Sequence, residues 1–452
     1  MANKKIKMEI VNPNAAGIDV GSKSHYVAVG QKPEDVKEYG VYAQDLKDLS
    51  KWLISKGVDT VALESTGTYW QSLYAELQSA GLKVVLANGK FTKHVKGKKT
   101  DVMDCMWIQK LHSLGLLTSS FLPDEDTEKL RTFYRHRLNL IDAAAVSTRR
   151  MQKYLRLLNL RLDVVVKDVT GLTGMKIIEE ICKGESDPKI LVSHRHGNCR
   201  KSEEEMIKAL QSNKREDFLF ALKQEQKLYN FYQSQIKKCD QKLAKQIKAF
   251  IRKDKNKKKL QTDDKVHKRV NKNAPKNMDL NQLAFKYFNG IDLMAIEGVS
   301  HSTVLTLMSE VGPDGIKKFK SAKQFTSWLR LSPNNKISGG KVLSSRIPKG
   351  SNRLKIALRQ AANAIGNLKD THLSDFFKRI SYRRGRTAAV TATARKLAVI
   401  IWNMIVNHQQ YNPPTVYEFL DQKRKRKVRE MRKQILKFGI STEDLGLNLC
   451  PD

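Results

Sequence analysis

Between residues 15 and 114, strand-length apolar runs alternate with helical patterns, and that order restricts the first part of the chain to an α/β sheet. AGIDVG (16–21) is a short apolar run, HYVAVG (25–30) alternates in the manner of a strand, and VKEYGVYA (36–43) is a third candidate strand. A helix follows from about Asp45 to Lys56, TVALES (60–65) supplies a fourth strand, and a second helix crosses Tyr69 to Ala80. VVLAN (84–88) is the fifth strand, and a further helix starts near Thr100.

Three strands in a meander followed by alternating helix and strand is the order of an RNase H-like fold, whose first and fourth strands are neighbours. Asp19 ends the first strand and Glu64 the fourth, so their side chains can converge. Asp101 and Asp104 stand at i and i+3 in KKTDVMDC, on one face of the next helix. Four carboxylates brought together cannot all stay ionised without a cation, because like charges raise each other's pKa. Two Mg²⁺ ions, or Mn²⁺ in their place, resolve that repulsion and suit phosphodiester cleavage, activating the attacking oxygen and stabilising the leaving one. A purely structural reading makes Asp101 a helix N-cap and Asp104 a solvated first-turn acid. Asp19 resists that reading, since a lone acid in an apolar strand is costly unless paired or metal-bound.

GIDVGSKS is also similar to the first phosphate-binding hairpin of sugar kinases and actin-like ATPases. Those proteins need a second glycine-rich phosphate segment in a second such domain, and the later chain offers none. The charge balance disfavours a nucleotide kinase as well: 83 Lys+Arg against 46 Asp+Glu leave a net charge of +37 over 452 residues. Such an excess repels itself unless a polyanion is near, and nucleic acid releases counterions for every phosphate neutralised.

Five cysteines, Cys105, Cys182, Cys199, Cys239 and Cys450, form no CxxC and are widely spaced, which indicates a reducing cytosol rather than a disulfide framework or zinc finger. His194, His196 and Cys199 cluster without a second ligand pair and read as a polar loop. The N-terminal MANKKIKMEIV lacks an apolar signal region. The late apolar stretch 388–405 is interrupted by Arg395 and Lys396 and reads as a buried helix, so no membrane partner is expected.

From Asp124 to about Leu162 the chain reads as one long helix, opened by Pro123 and three acids in its first turn. A second long helical pattern spans roughly Ser202 to Ile251, and the two suggest an antiparallel arm or oligomerising coiled coil. Residues 252–276 hold 11 Lys/Arg against three acids and read as a disordered or RNA-contacting insertion. A second basic run, KRKRKVREMRK (423–433), reads as a solvated tail. Aromatics with basic neighbours (Phe133, Tyr134, Tyr154, Tyr229, Phe231, Tyr232) are either core or stacking platforms for unpaired bases.

The combination GIDVGSKSHYV, ALESTGTYW and KTDVMDCMWI resembles the RuvC-like DEDD domain of the bridge-RNA-guided insertion-sequence recombinases, which have Piv-type invertases as relatives. The resemblance resumes in IDLMAIEGVSHSTVLTLMSEVG (291–312), FKSAKQFTSWLRLSP (319–333), ISGGKVLSSRIPKGSNRLKIALRQAA (337–362) and the helices of 376–405. It implies a RuvC-like catalytic domain at 1–123, a coiled-coil arm at 124–285, a mostly helical transposase domain at 286–410 and a basic tail at 411–452. It further implies a serine nucleophile in a loop after a proline and before a glycine, a position Ser338 fits in SPNNKISGGK, with Ser344, Ser345 and Ser332 as alternatives. Lys98, Lys99, Lys341, Arg346, Lys349, Arg353 and Arg359 are then the expected nucleic-acid contacts.

Residues 294–312 resemble a helix-hairpin-helix, with Ser300 where a second glycine is common. The resemblance also implies donor and target DNA and a structured noncoding guide RNA as partners. It implies a homodimer or homotetramer whose active site is shared between subunits, working in a prokaryotic cytosol at the nucleoid. Two rivals remain at this point: a RuvC-like nuclease acting on branched DNA through metal-activated water, and a non-catalytic nucleic-acid-binding scaffold.

Overall fold

The computed structural model describes residues 9–65, 67–92, 100–254, 256, 259–260, 271–276, 278–414, 416–440 and 444. The chain divides into two units, Met1–Leu122 and Pro123–Asp452.

The first unit is built on a mixed five-stranded sheet. Its strands are β1 (Ala15–Val20), β2 (His25–Ala28), β3 (Val36–Tyr39), β4 (Thr60–Glu64) and β5 (Lys83–Ala87), in the spatial order β3-β2-β1-β4-β5. β2 runs antiparallel to β1 and β3, and β4 is parallel to both β1 and β5. The expected neighbourhood of the first and fourth strands is therefore present, with Ile18 opposite Leu63.

Alternation sorts β1 between two faces. Ala16, Ile18 and Val20 join a core with Leu46, Leu49 and Leu53 of α1 (Ala43–Ser55) and Leu73 and Leu77 of α2 (Trp70–Ser79). Full burial of a leucine such as Leu49 contributes about 1.5–3 kcal/mol. On the opposite face Gly17 meets α4 (Asp101–Ser113). The third strand stops at Tyr39, short of the expected residue 43. The chain turns at Gly40 so that the Asp45 carboxylate can accept from the Tyr42 amide, 3.0 Å away, at the start of α1.

The second unit opens with α5 (Glu125–Leu157), whose N-cap Asp124 accepts from the Thr127 amide at 2.9 Å. Helices α6 (Leu162–Val165), α7 (Leu172–Lys183) and α8 (Pro188–Ser193) fill the stretch between the two long helical patterns. The helix expected from 202 to 251 is two helices, α9 (Glu203–Ala209) and α10 (Glu216–Arg252). Lys214 at φ 58 breaks them, while Asn213 returns its amide to the Leu158 carbonyl. Ion pairs Arg150–Glu225, Arg137–Asp240 and Lys253–Asp126 step in opposite directions along α5 and α10, so the two helices pack antiparallel.

Most of the candidate stacking aromatics belong to the interior. Tyr134 is buried and donates to the Ser302 carbonyl, Tyr229 is buried, and Tyr154 and Tyr232 pack on the same core.

The remainder comprises α11 (Leu280–Tyr287), α12 (His301–Glu310), α13 (Gly312–Lys317), α14 (Ala322–Trp328), the hairpin β6 (Lys336–Ser338)–β7 (Lys341–Ser344), α15 (Arg353–Ile365), α16 (His372–Val406) and α17 (Val416–Phe438). α16 is long and apolar enough to cross a membrane by length and composition, but its Ala389, Ala394, Leu397, Ala398 and Ile401 are buried within the unit. The basic run 423–433 expected to be solvated lies in the helix α17, where its described residues are largely exposed and Arg426 reaches Asp375 at 2.7 Å. Ser300 is the N-cap of α12, and Gly298 at φ 74 lies against Ala361 and Ile365 of α15. Helix packing therefore accounts for the hairpin-like EGVS.

Candidate active site

The acids of the first unit are set by sheet parity. Asp19 and Glu64 follow the Ile18–Leu63 register pair, and both point to the face opposite those two core residues. That face receives α4. It can come close because Gly17 carries no Cβ: a methyl there would collide with the Gln109 amide and lie 2.6 Å from the Cys105 carbonyl. Gln109 fastens the contact, donating to the Ala15 carbonyl at 3.0 Å and accepting from Gln31.

On α4, Thr100 is the N-cap, accepting from the Met103 amide at 3.3 Å, which leaves Asp101 as the first helical residue rather than the cap. Asp104 lies one turn on, next to buried Cys105. Burial pushes the Cys105 thiol up to about 12, and the charges of Asp19 and Asp104 push the same way. Both carboxylates thus act on one thiol beneath the β1–α4 contact. Asp101 acts on Tyr26, the register partner of Asp19: hydrogen bonding to Glu38 raises the Tyr26 hydroxyl first, and Asp101 adds to it.

Glu64 has a hydroxyl partner of its own. Its carboxylate accepts from the Thr92 hydroxyl at the end of α3 (Gly89–Thr92), and a Cβ on Gly89 would stand 2.6 Å from its Oε1. Nothing in the sequence pattern signals Thr92 or Gly89 as partners of Glu64, because the contact is made only by folding.

The four side chains offer carboxylate oxygens alone, the donor type a hard divalent cation takes, so the chemistry of the set fits Mg²⁺. Among the described residues, no group of three or more His, Cys, Asp or Glu side chains is gathered as a metal-holding cluster. Asp19 and Asp104 both exert their charge on Cys105, Asp101 and Asp104 share α4, and Glu64 is held by Thr92.

In the second unit Ser338 is exposed at the end of β6, opposite Lys341. Gly339 and Gly340, at φ 54 and 73, close a two-residue hairpin of the kind that requires positive φ at both central residues. Ser338 therefore lies on a hairpin rather than in an open loop. Of the alternatives, Ser344 accepts from the Arg346 amide and Ser332 is bonded to Thr326.

Lys341, Arg346, Lys349 and Arg353 are exposed around this hairpin and the segment after it. Arg359 is half-buried, and its Nε has no hydrogen-bond partner among the described residues. Lys98 and Lys99 lie outside the described residues.

Two cations join this group that sequence reasoning missed. Arg330 donates to the Lys349 carbonyl at 2.7 Å and covers Gly350, which at φ 112 leaves no room for a side chain there. Lys355 is buried, and its ammonium is pushed down by burial and by the Arg359 and Arg330 charges. The one signal for them is the glycine of PKGSN.

Residues 16–159 match the transposase domain of the IS110 DEDD type, and residues 292–378 match the transposase IS116/IS110/IS902 family. The chain is similar to a probable family 20 transposase of Pseudomonas aeruginosa, 27% identical over 126 residues covering 27% of this chain and 36% of the relative. It is also similar to the transposase for insertion sequence element IS1111A of Coxiella burnetii, 30% identical over 123 residues covering 26% of this chain and 33% of the relative. The chain thus spans about a third of the length of the curated relatives it matches. Alongside Asp19 and Glu64 on one face of the first sheet, two separate stretches of the chain are thus similar to transposase families, the IS110 DEDD type first and the IS116/IS110/IS902 type second.

Proposed function

We propose that this chain is a DNA recombinase that moves an insertion sequence. In this reading the first unit is an RNase H-like, RuvC-like domain, and α5 and α10 form a coiled-coil arm. The observation that carries the proposal is the placement of Asp19 and Glu64 on the sheet face that receives α4, inside a DEDD transposase match. Asp19, Glu64, Asp101 and Asp104 would hold Mg²⁺ or Mn²⁺, two ions in all. Bound there, the metal supplies positive charge at the scissile phosphate and to the oxygens entering and leaving it.

Ser338 is the proposed nucleophile. Its Oγ–P bond forms as the bond from phosphorus to the leaving sugar oxygen breaks; the serine proton passes to a base and the leaving oxygen takes one up. The phosphoserine keeps the bond energy for rejoining. Lys98, Lys99, Lys341, Arg346, Lys349, Arg353 and Arg359 neutralise phosphates of the DNA.

Acids and serine belong to different units, which supports a composite site in a dimer or tetramer. A structured noncoding RNA pairing with donor and target DNA would leave the protein to read backbone shape and charge.

The test uses purified full-length chain, Mg²⁺ and plasmid carrying the element ends, with covalent protein–DNA adduct and strand cutting as readouts. Asp104→Asn is expected to lose several kcal/mol of transition-state stabilisation, at least ~10²-fold in rate. Ser338→Ala is expected to abolish the adduct. Continued cutting by Ser338→Ala alone would replace the recombinase with a metal-dependent nuclease acting through water. Full activity in both variants would leave a binding scaffold. Sequencing the nucleic acid that co-purifies tests the guide RNA: a structured transcript from beside the gene supports it, and its absence removes that part of the proposal.

A further inference from the structure

The helical arm carries a cationic groove whose basic lining, on α10 and at Lys276, lies between the two transposase matches. Two adjoining hollows, about 470 and 320 Å³, share Lys237, Asp240 and Lys276 as lining. Along α10, Lys237, Lys245, Lys248 and Arg252 line one side, and Lys276 lines the other, where residues 271–276 lie against the helix. All five are exposed.

Asp240 is the one acid among the lining residues, and it is committed. Arg137 donates to its Oδ1 across the arm, and the Lys276 amide donates to its Oδ2 at 3.0 Å. Arg137 also donates to the Asn273 carbonyl at 2.9 Å, so one buried ion pair clamps residues 271–276 against α10. The clamp fixes the groove's shape while engaging the one negative charge among its described lining residues. Concentrating five ammonium and guanidinium groups in a concave wall raises the local potential and is costly unless a polyanion lies there.

Residues 237 to 252 advance about 22 Å along a helix at ~1.5 Å per residue. A duplex laid along that length presents one negative charge per ~1.7 Å. Among the described residues no aromatic lines the groove, and single strands are gripped by stacking bases on aromatic rings, so this lining suits a duplex backbone rather than splayed bases. We infer that the α10 groove is a sequence-independent binding surface for the phosphodiester backbone of a nucleic-acid duplex, preformed by the Arg137–Asp240 clamp. The inference holds whether or not the carboxylates and Ser338 cut DNA.

The experiment measures binding alone, by anisotropy without divalent metal, of the full chain to labelled duplex DNA, duplex RNA and single-stranded oligonucleotides across a salt series. In the triple variant Lys237→Gln, Lys245→Gln, Lys248→Gln, exposed lysines give way to another good helix former, so α10 is retained. The log–log slope of duplex binding on salt should flatten by about 2–3, near 0.9 per lost phosphate contact, equally for unrelated sequences.

A control variant, Lys47→Gln and Lys51→Gln on α1 with Lys56→Gln at its C-cap, removes the same charge from the first unit and should flatten the slope by less than 1. A larger loss on duplex RNA or on duplex DNA identifies which backbone occupies the groove. An unchanged slope, an equal loss in the control, or a larger loss on single strands than on duplexes overturns the inference.

Discussion

Gly17 and Gln109 touch backbone to backbone: the strand that carries Asp19 and the helix that carries Asp101 and Asp104 meet where there is no space for a single methyl group. Gly17→Ala must therefore push β1 away from α4. The expected cost is ~1–3 kcal/mol of stability, read as a lower denaturant midpoint. Metal-dependent strand cutting should fall further than stability does, because the displaced elements hold the acids. Gly197→Ala, where an added methyl meets nothing within 4 Å, is the control that should change neither.

That contact also marks the limit of what can be read from residue order. The strands were legible because AGIDVG, HYVAVG and TVALES show apolar periodicity bounded by glycine and polar residues, and Asp19 and Glu64 stand out as candidates because they sit at strand ends. Gly17, Thr92 and Arg330 were not: each matters through a partner far along the chain, which no local pattern encodes. The break between α9 and α10 was missed because Ser212, Asn213 and Lys214 continue a polar helical face as readily as they end it. Ser338 is proposed through family likeness alone, since a Ser-Gly pair in a turn has no chemical signature.

Glu310 anchors the start of α5 to α12. Arg135 donates to both its carboxylate oxygens, at 2.8 and 2.6 Å, and Arg131 lies 3.4 Å from it. Burial pushes the Arg131 guanidinium down, so it depends on this carboxylate. Glu310→Gln should cost ~3 kcal/mol in urea denaturation by leaving a buried charge uncompensated. Arg135→Ala, at the more solvent-exposed end of the cluster, should cost only about 1 kcal/mol. Equal costs would mean that the exposed arginine, and not the buried charge, governs the contact.

The Ser338 hairpin permits a test of nucleophile placement that keeps the serine. Positive φ at Gly339 and Gly340 is tolerated by asparagine and strained for valine. Gly339→Asn should preserve covalent DNA linkage, while Gly339→Val should reduce it at least tenfold. Both variants should melt within a degree or two of the parent, since the hairpin is exposed and buries little. A valine variant with full linkage would remove the hairpin geometry from the mechanism.

Two buried histidines give the first unit a pH dependence whose sign follows from their surroundings. His25 in β2 and His112 in α4 are both nearly inaccessible, and burial lowers each below its usual 6.5; Lys83 lowers His112 further. His112 Nε2 is 2.9 Å from the Thr60 hydroxyl. Below about 6.5 the unfolded chain binds protons that the folded one refuses, so stability rises with pH through that window. The contribution is complete above the unfolded value and is lost as pH falls toward the depressed folded values. Thermal unfolding at pH 5, 6, 7 and 8 should show the melting temperature falling on the acid side. His112→Gln should flatten that fall by removing one of the two groups. A midpoint that rises on acidification, or a slope untouched by the substitution, would mean that these imidazoles are charged inside the fold.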